Sequence, residues 1–247
     1  MSLVFVSHAA VDKEIAREFK NDITADFLGL CEIFVSSNLD SIQAGHEWAN
    51  VIKQNLEKCS ILVGLLSPVA LQRPWVYCEF GAGWIRGIPT IPVCHSGLER
   101  GQLPAPISSF QALNLWDPEH LEHLYSLVSQ SLKCRAPAID FDERSKRYHS
   151  ITDRIRLQRL ILDWMKQLFV WNPQLSVKIF SGSFADDILV PASFDQPFEE
   201  FIHEAARRGY LKIERAGMAM GTRVGAQASV FTFTPGDNFS ELVGHLA

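Results

Sequence analysis

The chain lacks several things whose absence narrows its function. Its five cysteines, Cys31, Cys59, Cys78, Cys94 and Cys134, are odd in number, widely spaced and without a CxxC pair, so neither a disulfide framework nor a zinc site is expected, and reduced thiols in a cytoplasmic protein are. No basic segment followed by an apolar stretch opens the sequence, and no apolar run approaches the ~20 residues of a membrane span, so neither a secretory signal nor a membrane partner is expected. A basic excess is missing too. The net charge is −5, the acidic surplus lies before Arg144 and the remainder is close to neutral, which weighs against non-specific nucleic-acid binding through neutralised phosphates. There is no Walker A loop, no GxGxxG after the first strand, no HExxH and no GxSxG.

What is present is a core. Hydrophobic residues make up 47% and charged residues 21% of 247, and that length suits two domains of ordinary size. The first half alternates short apolar runs with amphipathic stretches. Strands are expected at Leu3 to Val6, Glu32 to Val35, Ser60 to Leu66, Ile88 to Val93 and Ala112 to Leu115. Helices are expected from about Val11 to Ile23, Glu47 to Lys58, Pro74 to Arg86, where Gly87 stops the helix, and Pro118 to Leu132. Such alternation predicts a flavodoxin-like, doubly wound five-stranded parallel sheet that binds ligands beyond the carboxyl ends of its strands.

Around Pro137 the pattern breaks, and residues 136–144 read as a linker between domains at 1–135 and 145–247. The second domain should open with an amphipathic helix from about Ser145 to Phe169. After an irregular middle come a helix from Pro197 to Arg208, a strand from Tyr210 to Ile213, a glycine-rich span from Gly217 to Gly225 and a strand from Ser229 to Thr234. That order suggests a small α+β, winged-helix-like domain.

Four segments of the first half stand in the order found in TIR domains: Val4-Phe5-Val6-Ser7-His8, Ile33-Phe34-Val35-Ser36, Ser60-Ile61-Leu62-Val63-Gly64-Leu65-Leu66-Ser67-Pro68 and Trp75-Val76-Tyr77-Cys78-Glu79. The chain from Met1 to about Lys133 resembles a TIR (Toll/interleukin-1 receptor) domain, and the WxxxE of Trp75 and Glu79 resembles that of the NAD-cleaving kind found in bacteria. The resemblance implies an NAD+ nucleosidase with Glu79 as its catalytic carboxylate, NAD as substrate and no cofactor or metal. It implies that Trp75, Ser7, His8, Ser36 and Ser37 line the substrate crevice. It further implies assembly through Asn38 to Trp48, with Ala44 and Gly45 at the loop tip in place of the proline-glycine of receptor loops. Antiphage defence is the implied biology, with the second domain sensing a trigger or partner protein, or, as an alternative, binding DNA.

The chemistry of the residues agrees with that implication. Glu79 lies one helical turn beyond Trp75, and Gly83 should leave that face open. A lone carboxylate is poor equipment for hydrolysing an ordinary glycoside, which needs a second acid or base. NAD differs, since nicotinamide departs as a neutral molecule from a cationic ring and asks mainly for stabilisation of an oxocarbenium-like transition state. Two other readings compete: a TIR scaffold that self-associates without catalysis, with Glu79 structural, and a TIR-linked DNA-binding regulator.

Overall fold

The computed structural model describes residues 2–36, 48–181, 186–220 and 227–246. Two compact units make up the chain, Met1–Ile155 and Arg156–Ala247.

In the first unit, strands β1 (Ser2–Ser7), β2 (Cys31–Val35), β3 (Ile61–Leu66), β4 (Thr90–Cys94) and β5 (Leu113–Asn114) pair in parallel in the order β2-β1-β3-β4-β5. Helices α1 (Lys13–Asp26), α2 (Trp48–Lys58), α3 (Pro74–Ile85) and α4 (Pro118–Leu132) connect them. Covered on both faces, the central strands need no polar alternation, and all six residues of β3 are buried. One core joins α1 and α4 to one face through Val4, Val6, Phe19, Ile61, Val63 and Tyr125; the other joins α2 and α3 to the opposite face through Phe5, Ile52, Leu62, Leu66 and Phe80. Between β4 and β5 the chain forms two short 3-10 turns, Arg100–Gln102 and Ile107–Ser109, in place of a full helix.

Two glycines set how closely α3 lies on the sheet. A Cβ on Gly64 of β3 would come within 2.2 Å of the Phe80 ring, and one on Gly83 within 2.4 Å of Thr90 Oγ1. Gly83 therefore does not leave a pocket wall open, as its place on the Trp75–Glu79 face suggested; its missing side chain is filled by the neighbouring strand. Gly87, at φ +64°, stops α3 in the left-handed conformation where glycine was expected.

The long helix α5 (Phe141–Trp171) begins earlier than the sequence pattern indicated, and the division between units falls inside it, at Ile155 and Arg156, rather than at 136–144. Tyr148 explains the difference. It is fully buried in the first unit's core and donates a 2.6 Å hydrogen bond to Asp22 of α1.

The second unit continues with α6 (Pro173–Phe180), β6 (Asp186–Pro191), α7 (Asp195–Arg207), β7 (Leu211–Met220), β8 (Gln227–Pro235) and α8 (Phe239–Leu246). Its strands form an antiparallel sheet in the order β6-β8-β7 over an aromatic-rich core that includes Phe198, Phe201, Phe231 and Phe233. Of these elements, α6, β6 and α8 were not anticipated. The glycine-rich span expected from Gly217 to Gly225 begins as the end of β7, and residues 221–226 lie outside the described residues.

Candidate functional site

Because the five strands are parallel, their carboxyl ends share one edge, and the chain places polar residues there in succession. Ser7 ends β1, Ser36 follows β2, Ser67 follows β3 and His95 follows β4; all four are buried. The order β2-β1-β3 puts β1 at the centre of this group, where a doubly wound sheet opens its crevice.

Glu79 projects into this group from α3 and is only 2% exposed. Loss of water pushes its carboxyl up from an ordinary 4.5 to about 7, against the smaller pull of the Ser7 and Ser36 hydroxyls, which favour the charged form. The structure thus brings Glu79, Ser7 and Ser36 together. The Ser7 hydroxyl lies close enough to act on the carboxyl, yet its Oγ makes no hydrogen bond of good geometry.

His8 is buried beside Ser7, and burial pulls its imidazole down to about 4 despite a hydrogen bond to the Val6 backbone. It is therefore a neutral ring at physiological pH. His95, which the sequence reading passed over, is fully buried and pulled down to about 3, first by burial and then by the neighbouring His8. Its Nδ1 lies 2.9 Å from Ser96 Oγ, which donates a 3.2 Å hydrogen bond to the Thr152 carbonyl of α5. Asp12 and Ser67 form a second unanticipated pair, joined by a 2.6 Å hydrogen bond from the serine hydroxyl and buried at the start of α1. The signal was present in the sequence: His95 stands just past a strand end, as Ser7-His8 do.

Trp75 lies elsewhere. It is 45% exposed, meets Trp48 of α2 edge to face at 4.5 Å, and lines an apolar groove of about 330 Å³ with Ile52, Leu56, Ala82 and Ile85. Trp75 and Glu79, one turn apart, serve different surroundings. Ser37, Asn38, Ala44 and Gly45 lie outside the described residues, whereas Trp48 opens α2 with a buried Nε1 that has no hydrogen-bond partner.

Buried polar atoms almost always find partners, so those that do not are informative. In the first unit, Ser7 Oγ, His95 Nε2 and Asn114 Oδ1 at the strands' carboxyl ends are among such atoms, as is Trp48 Nε1 at the start of α2. A carboxyl with a raised value, two neutral imidazoles and unsatisfied polar atoms thus stand together along one edge of the sheet. No group of three or more His, Cys, Asp or Glu is placed to hold a metal among the described residues, and no helix there is long and apolar enough to cross a membrane.

No curated protein matches the chain. Among solved structures it is similar to the TIR domain of the Toll-related receptor TRR-2 from the lower metazoan Hydra magnipapillata, at 15% identity, covering 53% of this chain and 97% of that one, with a TM-score of 0.43. The family model for the TIR domain matches residues 4–128, half of the chain, so the protein belongs to the TIR domain family.

Proposed function

We propose that the chain is an NAD+ glycohydrolase acting through Glu79 in the crevice at the carboxyl ends of β1 and β2, and that it serves bacterial antiphage defence after activation by assembly. The observation that carries this reading is the buried Glu79 carboxyl, flanked by the Ser7 and Ser36 hydroxyls at the carboxyl ends of β1 and β2. That equipment suits a substrate whose leaving group needs no proton. As the bond between nicotinamide and ribose breaks, the electron pair leaves with neutral nicotinamide and positive charge grows on the ribosyl carbon. The Glu79 carboxylate, in surroundings with little water to screen it, stabilises that charge. Water then adds to the carbon and releases one proton, giving ADP-ribose; capture by a group within the same molecule gives a cyclic isomer instead.

The cationic ring of NAD favours the ionised form of Glu79, so binding and the activating deprotonation support one another. Ser7 and Ser36 hold the carboxylate and offer hydroxyls to the ribose. On this reading self-association through the TIR domain, including the segment from Asn38 to Trp48, completes the site, and the second unit, read as winged-helix-like, answers to a trigger. A second reading, self-association without catalysis, draws on Trp84 and Ile85 of α3, which are 72% and 81% exposed and offer an apolar contact surface.

Nicotinamide release by the full chain and by Glu79→Gln, followed over a wide range of protein concentration, tests the proposal. Release that rises with concentration in the wild type and vanishes in the variant supports it. Equal release by both refutes the role of Glu79, and none by either at any concentration leaves the scaffold reading standing.

A further inference from the structure

The second unit carries a cleft of about 350 Å³ between α7 and the strands β7 and β8. Its apolar wall is made by Ile202, Ile213 and Phe231, and its polar wall by Asp195, Glu199 and His203, which recur every four residues along one face of α7, with Arg215 opposite on β7.

The charges of this wall are unequally used. Asp195 Oδ2 accepts hydrogen bonds from Arg215 at 2.7 Å and from the Ser229 hydroxyl at 2.8 Å, and Arg215 also reaches Ser229 Oγ at 2.9 Å while lying over the Phe231 ring at 5.9 Å. Arg215 is thereby committed to a carboxylate, a hydroxyl and a ring face, leaving little of its charge for an anion. Asp195 Oδ1, by contrast, is buried without any hydrogen-bond partner. Glu199 stands exposed at the rim with its charge outside this triad. One positive group faces two negative ones across an apolar floor.

We infer that this cleft binds a small organic cation, a primary ammonium on an apolar or aromatic body. The ammonium satisfies Asp195 Oδ1 and pairs with Glu199, and the body lies along Ile202, Ile213 and Phe231. Its donors match the unused acceptors, and its size suits a cleft of this volume. A bare metal ion is disfavoured, because no set of three or more ligating side chains is assembled among the described residues and hard cations demand about six oxygens. An anion would meet a net negative wall. The inference does not depend on NAD cleavage, since it concerns binding to the other unit.

Calorimetric titration of the full chain at neutral pH with 2-phenylethylamine, and with its neutral isostere 2-phenylethanol, tests it. Expected are saturable one-to-one binding of the amine, none of the alcohol, and about tenfold weaker amine binding in Glu199→Gln, the effect of one charge-assisted hydrogen bond. Asp195→Asn should weaken binding as well. Glu214→Gln, which removes the same charge from an exposed position outside the cleft lining, should not. No saturable binding of the amine, equal binding of the alcohol, or affinity unchanged in Glu199→Gln and Asp195→Asn would overturn the assignment.

Discussion

Arg144, in the first turn of α5, donates a 2.7 Å hydrogen bond to Asp26 at the end of α1, and both side chains are more than four-fifths buried. The same guanidinium lies 3.3 Å from Asp22 and 2.8 Å from the hydroxyl of Tyr125, which itself donates to Asp26 at 2.7 Å. Arg147 pairs with Asp22 from the next turn, and Tyr148 completes the cluster. Two cations thus meet two carboxylates and two phenols contributed by α1, α4 and α5.

Removing a single partner from such a cluster leaves buried charge uncompensated. Arg144→Met is expected to cost the first unit about 3 to 5 kcal/mol, measured by denaturant unfolding followed through the first unit's amide exchange. A midpoint unchanged from wild type would show that Arg147 alone neutralises the pair of aspartates.

The buried carboxyl at the crevice makes a specific contribution to stability against pH. Since the folded-state value for Glu79 is raised from 4.5 to about 7, the native state holds a proton that the unfolded chain releases. Its contribution is fully present below pH 4.5 and is lost as pH climbs towards 7, on the order of 3 kcal/mol in all. His8 and His95 act in the opposite sense. Their folded values lie near 4 and 3 against 6.5, so their contribution is complete above 6.5 and is lost as pH falls. Unfolding measured from pH 4.5 to 7.5 should show Glu79→Gln gaining on wild type as pH rises. Parallel curves for the two proteins would exclude the raised value.

The two glycines of α3 should separate packing from helix propensity. Gly83→Ala meets Thr90 Oγ1 at 2.4 Å and is expected to destabilise by about 1 to 3 kcal/mol. Gly81→Ala meets nothing within 4 Å and should stabilise by up to about 1 kcal/mol, as alanine is the better helix former. Thermal unfolding of the two variants decides the point; shifts of the same sign would mean that α3 does not lie against the sheet as described.

For the proposed chemistry, the serines provide a graded test. Ser7 and Ser36 both lower the Glu79 value, so Ser7→Ala or Ser36→Ala should move the acid limb of the pH profile for nicotinamide release to higher pH, with release retained on the alkaline side. A limb that stays in place while the rate falls uniformly would assign these hydroxyls to ribose contacts alone.

The parallel sheet was legible because its strands are buried on both faces and therefore read as plain apolar runs such as Ile61 to Leu66. Ser7, Ser36 and Glu79 were legible together only through the TIR-like order of their segments. Asp12 was not, since it meets Ser67 across 55 residues; His95 showed only its place past a strand end, while its support, through Ser96 to Thr152 across 56 residues, could not be read. In the second unit, β6 and α8 escaped notice because they are short, six and eight residues, leaving little periodicity to read. The start of α5 was readable in principle. Asp140 accepts a 2.9 Å hydrogen bond from the Glu143 backbone, an N-terminal cap masked by the proline just upstream.

The family match ends at residue 128, whereas the compact unit runs to Ile155. Evolutionary recombination and laboratory grafting both treat a family match as a cassette, and here the cassette's edge is misplaced. A graft cut near residue 135 would carry Asp22, Asp26 and Tyr125 into its new host but leave Arg144 and Tyr148 behind, exposing an acidic socket with nothing to fill it. Swaps that respect the fold must travel with the first half of α5, and the join to a foreign partner then falls within a helix, where insertions of different length change the rotational phase of whatever follows by about 100° per residue.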